Sequence, residues 1–183
     1  MNTIALYFSR IAGLKTFIIA TLIYVAFGGY VMPQGAKKIA SLAGKPVEIL
    51  DLQFSYTTTR AADILSAYTP EAIAFGVWFS WVADTVYPLV YGFLFIIILA
   101  WVYNNVPQHL AAYRYIHLLP ITTVVIDFVE NFFIRRVMLS YPNLQDSAVA
   151  TASFFTTVKW LSVAALAAAA VFGLLLLLRK RMG

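Results

Sequence analysis

The sequence predicts an all-α integral membrane protein: a four-transmembrane-helix antiparallel bundle, with an extramembrane cap of about 38 residues between helices 1 and 2. Three observations predict it. The chain of 183 residues is 62% hydrophobic and only 11% charged, with mean hydropathy +0.81. A soluble domain carries about twice that charged fraction. Second, the apolar residues are gathered into long runs, each of a length suited to a bilayer. Third, turn and capping residues separate those runs. The length fits one membrane domain, residues 1–183.

The bulk numbers also exclude function classes. The formal net charge is +5. In so apolar a chain this favours contact with anionic membrane lipids over nucleic acid, which is not an expected partner. Cysteine is absent. Thiol catalysis, disulfides and cysteine-held metal sites are therefore excluded. His109 and His117 are read as a connector residue and an interfacial residue. They make no metal site, and no cofactor is expected.

Helix 1 is expected over residues 14–32, ending before Met32-Pro33-Gln34-Gly35. Gly28-Gly29 near its end permits close helix contact or a bend. No A-x-A site follows, so it reads as a helix and not as a cleaved signal. Residues 33–70 form the cap. Within it, Val47 to Phe54 alternates like a strand, and Thr57-Thr58-Thr59 caps a short amphipathic helix from Arg60 to Tyr68. Ile64, Leu65 and Tyr68 lie on the apolar side of that helix.

Thr69-Pro70-Glu71 starts helix 2 with a hydroxyl cap, a proline in the first turn and an acid beside it. Helix 2 is expected over residues 71–103, helix 3 over 113–139 and helix 4 over 148–178. Pro88 removes a backbone hydrogen bond within helix 2. Trp78, Trp81 and Trp101 are interface anchors. Asn104-Asn105-Val106-Pro107 and Tyr141-Pro142-Asn143 close helices 2 and 3. The run Ala164 to Ala170 lets a neighbour approach helix 4. Both termini then lie on one side. The basic residues packed against helix ends there, Arg179-Lys180-Arg181 among them, favour the cytoplasmic face of a bacterial inner membrane.

Helix 3 carries the signal that points to function. Asp127, Glu130 and Asn131 stand at i, i+3 and i+4, on one helix face, with Arg135 following. A carboxylate at bilayer depth costs roughly 3 kcal/mol even on the lenient insertion scale, so these groups need partners. Helix 2 offers Asp84, Tyr87 and Tyr91 on one stripe. Helix 4 offers Lys159 among Ser153, Thr156 and Thr157.

Counting 1.5 Å per residue from the side of the termini puts Asp84 about 19 residues up, Glu130 and Asn131 about 17 to 18, and Lys159 about 20. Asp127 and Tyr91 lie a turn deeper. Tyr87, Thr156 and Arg135 fall close by. Lys159 is expected to pair with Asp84 or Glu130, and Arg135 with the other. Three acids around one central lysine leave at least one acid neutral or paired with a ligand.

The leading expectation is a pocket between helices 2, 3 and 4, roofed by residues 33–70, that binds a small amphiphile or lipid-like molecule. Asp84, Tyr87, Asp127, Glu130, Asn131 and Lys159 would line it. Three other readings use the same residues. One is an enzyme acting on a lipid or isoprenoid with Asp127 or Glu130 as acid and base. Another is a proton- or ion-coupled transporter, which would need a homo-oligomer. The last is an assembly subunit whose ion network sets helix register.

Overall fold

A computed structural model describes residues 13–106, 116 and 118–182. The described residues form five helices and no strand. α1 runs Leu14–Ala43, α2 Thr58–Ser66, α3 Pro70–Asn105, α4 Leu118–Ser140 and α5 Asp146–Met182. Three of them, α1, α3 and α5, are long and apolar enough to cross a membrane. The start of the third long segment near Tyr113, and both histidines, lie outside the described residues.

α1 corrects the expected end at residue 32. It does not stop at Pro33 but passes through a π-helical turn, Phe27–Val31, into Met32–Ala43. The Met32 amide donates to the Phe27 carbonyl, five residues back. This wide turn lies directly before Pro33, which has no N–H to give, so the helix shifts its bonding instead of breaking. Gly44 ends the helix at φ 70°, the left-handed conformation that an L side chain resists. The second half of α1 is amphipathic. Gly35 and Ile39 face inward while Lys37 and Lys38 are exposed.

The connection between α1 and α3 is therefore shorter than expected. It also contains no strand. Val47 to Phe54 has no partner strand to pair with and instead forms a 3-10 turn at Leu50–Leu52. α2 begins on Thr57, whose hydroxyl accepts from the Arg60 amide. Its Ile64, Leu65 and the following Tyr68 are buried. α3 begins on Thr69, whose hydroxyl accepts from Ala72 N–H, with Pro70 and Glu71 in the first turn.

Contacts between helices give their directions. Gly28 lies against Tyr87 and Gly35 against the Phe79 ring, so α1 and α3 are antiparallel. Gly92 lets Val124 approach the α3 backbone at a site where any Cβ would overlap it. With Tyr91 bound to Asp127 and Arg135 to Ser80, this makes α3 and α4 antiparallel. Phe133 stacks on Phe155 at 5.4 Å, and Glu130 meets Lys159, so α4 and α5 are antiparallel too. α3 and α5 end together, where Lys180 Nζ donates to the Asn105 carbonyl at 3.1 Å.

Two apolar clusters result. One joins Leu50, Ile64, Leu65 and Tyr68 to Ile134, Met138 and Val149. The other joins Leu99, Val102 and Tyr103 to Leu166 and Ala170. The polar residues of α3, α4 and α5 lie between them.

Candidate functional site

Pro88 sets the geometry of the site. A helical residue at 88 would donate its N–H to the carbonyl of Asp84, four residues back, and proline cannot. The Asn131 side chain replaces that donor, with Nδ2 3.1 Å from the Asp84 carbonyl oxygen. The same Nδ2 lies 2.8 Å from Asp127 Oδ1. Tyr91 Oη donates to Asp127 Oδ2, also at 2.8 Å. Both oxygens of Asp127 are thereby held, and α3 is tied to α4 at the point where its own ladder is broken. A buried polar group left unpaired costs about 1–3 kcal/mol, which is why Asn131 is well suited to this position.

Glu130 points the other way, toward α5, and is 0% exposed. Lys159 Nζ lies 2.9 Å from its Oε2, and Thr156 stands beside it. Lys159 also ion-pairs with Asp51 and donates to the Asp51 carbonyl at 3.2 Å. One ammonium thus joins the 3-10 turn, α4 and α5. The pairing with Glu130 was one of the two expected from depth. The sequence raises no such expectation for Asp51, because the alternation around it has the form of a strand.

Arg135 does not ion-pair with Asp84 among the described residues, as the depth count had allowed. It donates to the Ser80 carbonyl and hydroxyl at 3.3 and 3.2 Å. Its guanidinium sits 4.0 Å from the Trp81 ring centre, a cation–π arrangement. It is held on the first half of α3, one turn before Asp84.

Side chains of α5 also fix the turn that follows α1. Trp160 Nε1 donates to the Gln53 carbonyl at 2.9 Å, and Thr157 Oγ1 to the Phe54 carbonyl at 2.9 Å. Ser153 Oγ accepts from the Tyr56 amide at 2.8 Å. With Lys159 on Asp51, four residues of α5 satisfy a segment that has no ladder of its own.

These elements enclose a cavity of about 420 Å³. Asp84, Tyr87 and Tyr91 of α3, Asp127 and Asn131 of α4, and Lys159 of α5 line it. Asp51 and Leu52 of the turn close one end, and Phe95, Val163 and Leu166 form the apolar end. Of the nine residues singled out from the sequence, Glu130, Arg135 and Thr156 lie outside this lining. Helix α1 belongs to it through Tyr24, Gly28 and Met32, where the expected pocket used helices 2, 3 and 4. Tyr87 explains that wall. Its ring stacks with Tyr24 and Phe27, each at 6.1 Å, and its hydroxyl lies where a Cβ on Gly28 would come within 3.1 Å. A second cavity of about 250 Å³ adjoins the first across Gly28, Met32, Asp51, Leu52, Asp84 and Asn131.

No group of three metal-ligating side chains occurs among the described residues. The site offers carboxylates, an amide, phenols and one ammonium beside an apolar chamber. That set offers hydrogen-bonding groups at one end and apolar contact at the other. No protein-family profile, curated protein or solved structure matches this chain.

Proposed function

We propose that the chain is a four-span membrane protein of the bacterial inner membrane, with both termini cytoplasmic, whose cavity binds a small amphiphile or lipid-like molecule. The observation that carries the binding reading is the cavity of about 420 Å³, polar at the Asp51–Lys159 end and apolar at the Leu166 end. Its size falls within the usual range of small-molecule sites, roughly 300–1,000 Å³.

α4 supports the fourth span. Its acids and Arg135 are buried, while Ile121, Val125, Phe132 and Leu139 are exposed. Apart from Thr122 and Arg136, the outward face is largely apolar, and Asp127, Glu130 and Arg135 point inward. Intramembrane ionisable groups characteristically face a bundle interior or cavity in this way.

The cluster divides into two roles. Glu130, off the cavity, holds α4 against α5 through Lys159 and the neighbouring Thr156. This is the register-setting role, and the complete burial of Glu130 favours it. Asp84, Asp127, Tyr87, Tyr91 and Asn131 face the ligand.

The test is thermal unfolding in mild detergent, with and without a bacterial total lipid extract. Wild type is expected to gain stability, by about 2.7 kcal/mol when ligand reaches a hundred times its Kd. Asp84→Asn should fold and lose that gain. Glu130→Gln should unfold earlier yet keep it. If lipid shifts neither wild type nor Glu130→Gln, the binding reading is wrong.

A further inference from the structure

The charges around the cavity specify the head group it accepts. We infer that the ligand's polar end is a hydrogen-bond donor carrying no negative charge, such as a hydroxyl or ammonium head, and that Asp84 receives it. This rests on the binding reading above and narrows it.

Among the described residues lining the cavity, Lys159 is the one cation. It is already committed, with Asp51 on one side and Glu130 on the other. Arg135 lines neither cavity: Ser80 and the Trp81 ring fix it, and it acts on Asp84 from outside the chamber. An anionic head would therefore meet Asp51, Asp84 and Asp127 with no free positive charge to offset them. Like charges in a chamber of low dielectric repel strongly.

A donor head meets the opposite situation. Asp127 already has a donor on each oxygen, from Tyr91 and Asn131. Asp84 lines both cavities and makes no ion pair among the described residues. Its carboxyl has one side-chain donor, Ser80, against two on Asp127, and so keeps acceptor capacity toward the space.

The walls indicate where such a ligand comes from. Tyr24, Gly28 and Met32 of α1 face Trp160 and Val163 of α5 across the cavity. Among the described residues α1 packs chiefly on α3, with at most slight contact with α5. The chamber therefore borders the outer surface between two apolar helices. The ligand's tail can lie there while the head reaches Asp84, as suits a molecule resident in the bilayer.

The experiment places the full chain in phosphatidylcholine nanodiscs with photoreactive probes that share one alkyl chain. Their heads are a primary amine, a glycerol monoester, a phosphate and a trimethylammonium. Labelled peptides are mapped by mass spectrometry at equal membrane loading. The amine and glycerol probes are expected to label the peptides holding Val163 and Leu166 about tenfold more than the phosphate probe. Asp84→Asn should reduce that labelling by a similar factor.

Phosphate labelling equal to amine labelling overturns the inference but leaves the cavity a binding site. Trimethylammonium labelling equal to amine labelling also overturns it, because that head has no N–H to donate. If no probe labels above a Leu166→Trp variant, whose side chain fills the apolar end, the binding reading falls as well. Should Asp84→Asn fail to fold, the comparison of four heads in wild type decides alone.

Discussion

At the scale of single residues, Asn131 joins two facts that are separate in the sequence. Its amide stands in for the hydrogen bond that Pro88 cannot make, and it also holds Asp127. This coupling is measurable. Asn131→Leu should lower stability by about 1–3 kcal/mol, because two buried acceptors lose their donor. In a Pro88→Ala background the helix regains an N–H for the Asp84 carbonyl, and the same substitution should cost less. A double-mutant cycle in detergent, read by thermal unfolding, gives the coupling directly. Equal costs in the two backgrounds would mean that the Asn131 bond to Asp84 carries no energy. Asp127 and Asn131 were recognisable as neighbours from their i, i+4 spacing. That the amide would serve Pro88 was not, because the spacing says nothing about which helix faces them.

At the scale of elements, the segment between α1 and α3 is held by side chains, not by its own backbone pairing. Thr157, Lys159 and Trp160 of α5 bind the carbonyls of Phe54, Asp51 and Gln53. On its other side Tyr68 Oη donates to the Glu48 carbonyl at 2.8 Å. Burial pushes the Tyr68 phenol from its ordinary 10.0 up to about 12. The folded state therefore retains a proton that the unfolded chain gives up first. Its contribution to stability is full below pH 10 and is lost as pH rises toward about 12. Wild type should lose stability across that window more steeply than Tyr68→Phe, measured by thermal unfolding against pH. Parallel curves would show that Tyr68 is not held in this way.

The capping residues of α2 and α3 were legible in the sequence, since a hydroxyl before a helix start acts within one turn. The passage of α1 through Pro33 was not. Met32-Pro33-Gln34-Gly35 has the local form of a stop. A π turn together with packing on α3 carries the helix onward, and neither is a property of those four residues.

At the scale of the whole molecule, the antiparallel order of α1, α3, α4 and α5 follows from side-chain contacts, and the four-span topology is a proposal built on it. Because the chain has no cysteine, single introduced cysteines report topology cleanly. Ser66→Cys and Asn143→Cys should react with a membrane-impermeant thiol reagent from one side, and Lys180→Cys from the other. Labelling of Asn143→Cys and Lys180→Cys from the same side would place α5 across no membrane and remove the four-span reading. The same contacts explain why the site lies where it does. Polar groups collect at the level where Pro88 interrupts α3, between an apolar cluster around Leu65 and another around Leu166.

The sequence by itself determined the helical, apolar character of the chain and most helix starts. It also determined that Asp127, Glu130 and Asn131 share a face. These depend on composition, capping and a period of 3.6 residues, all of which act over a few turns of chain. Only the tertiary structure decided how those acids divide, with Glu130 on Lys159 and Asp127 on the cavity. It alone brought in Asp51, which lies 108 residues from Lys159 along the chain. It also made α1 a wall of the chamber. The reason is physical: the partner of a buried charge is chosen by which helix packs beside it, and that choice belongs to the folded bundle as a whole.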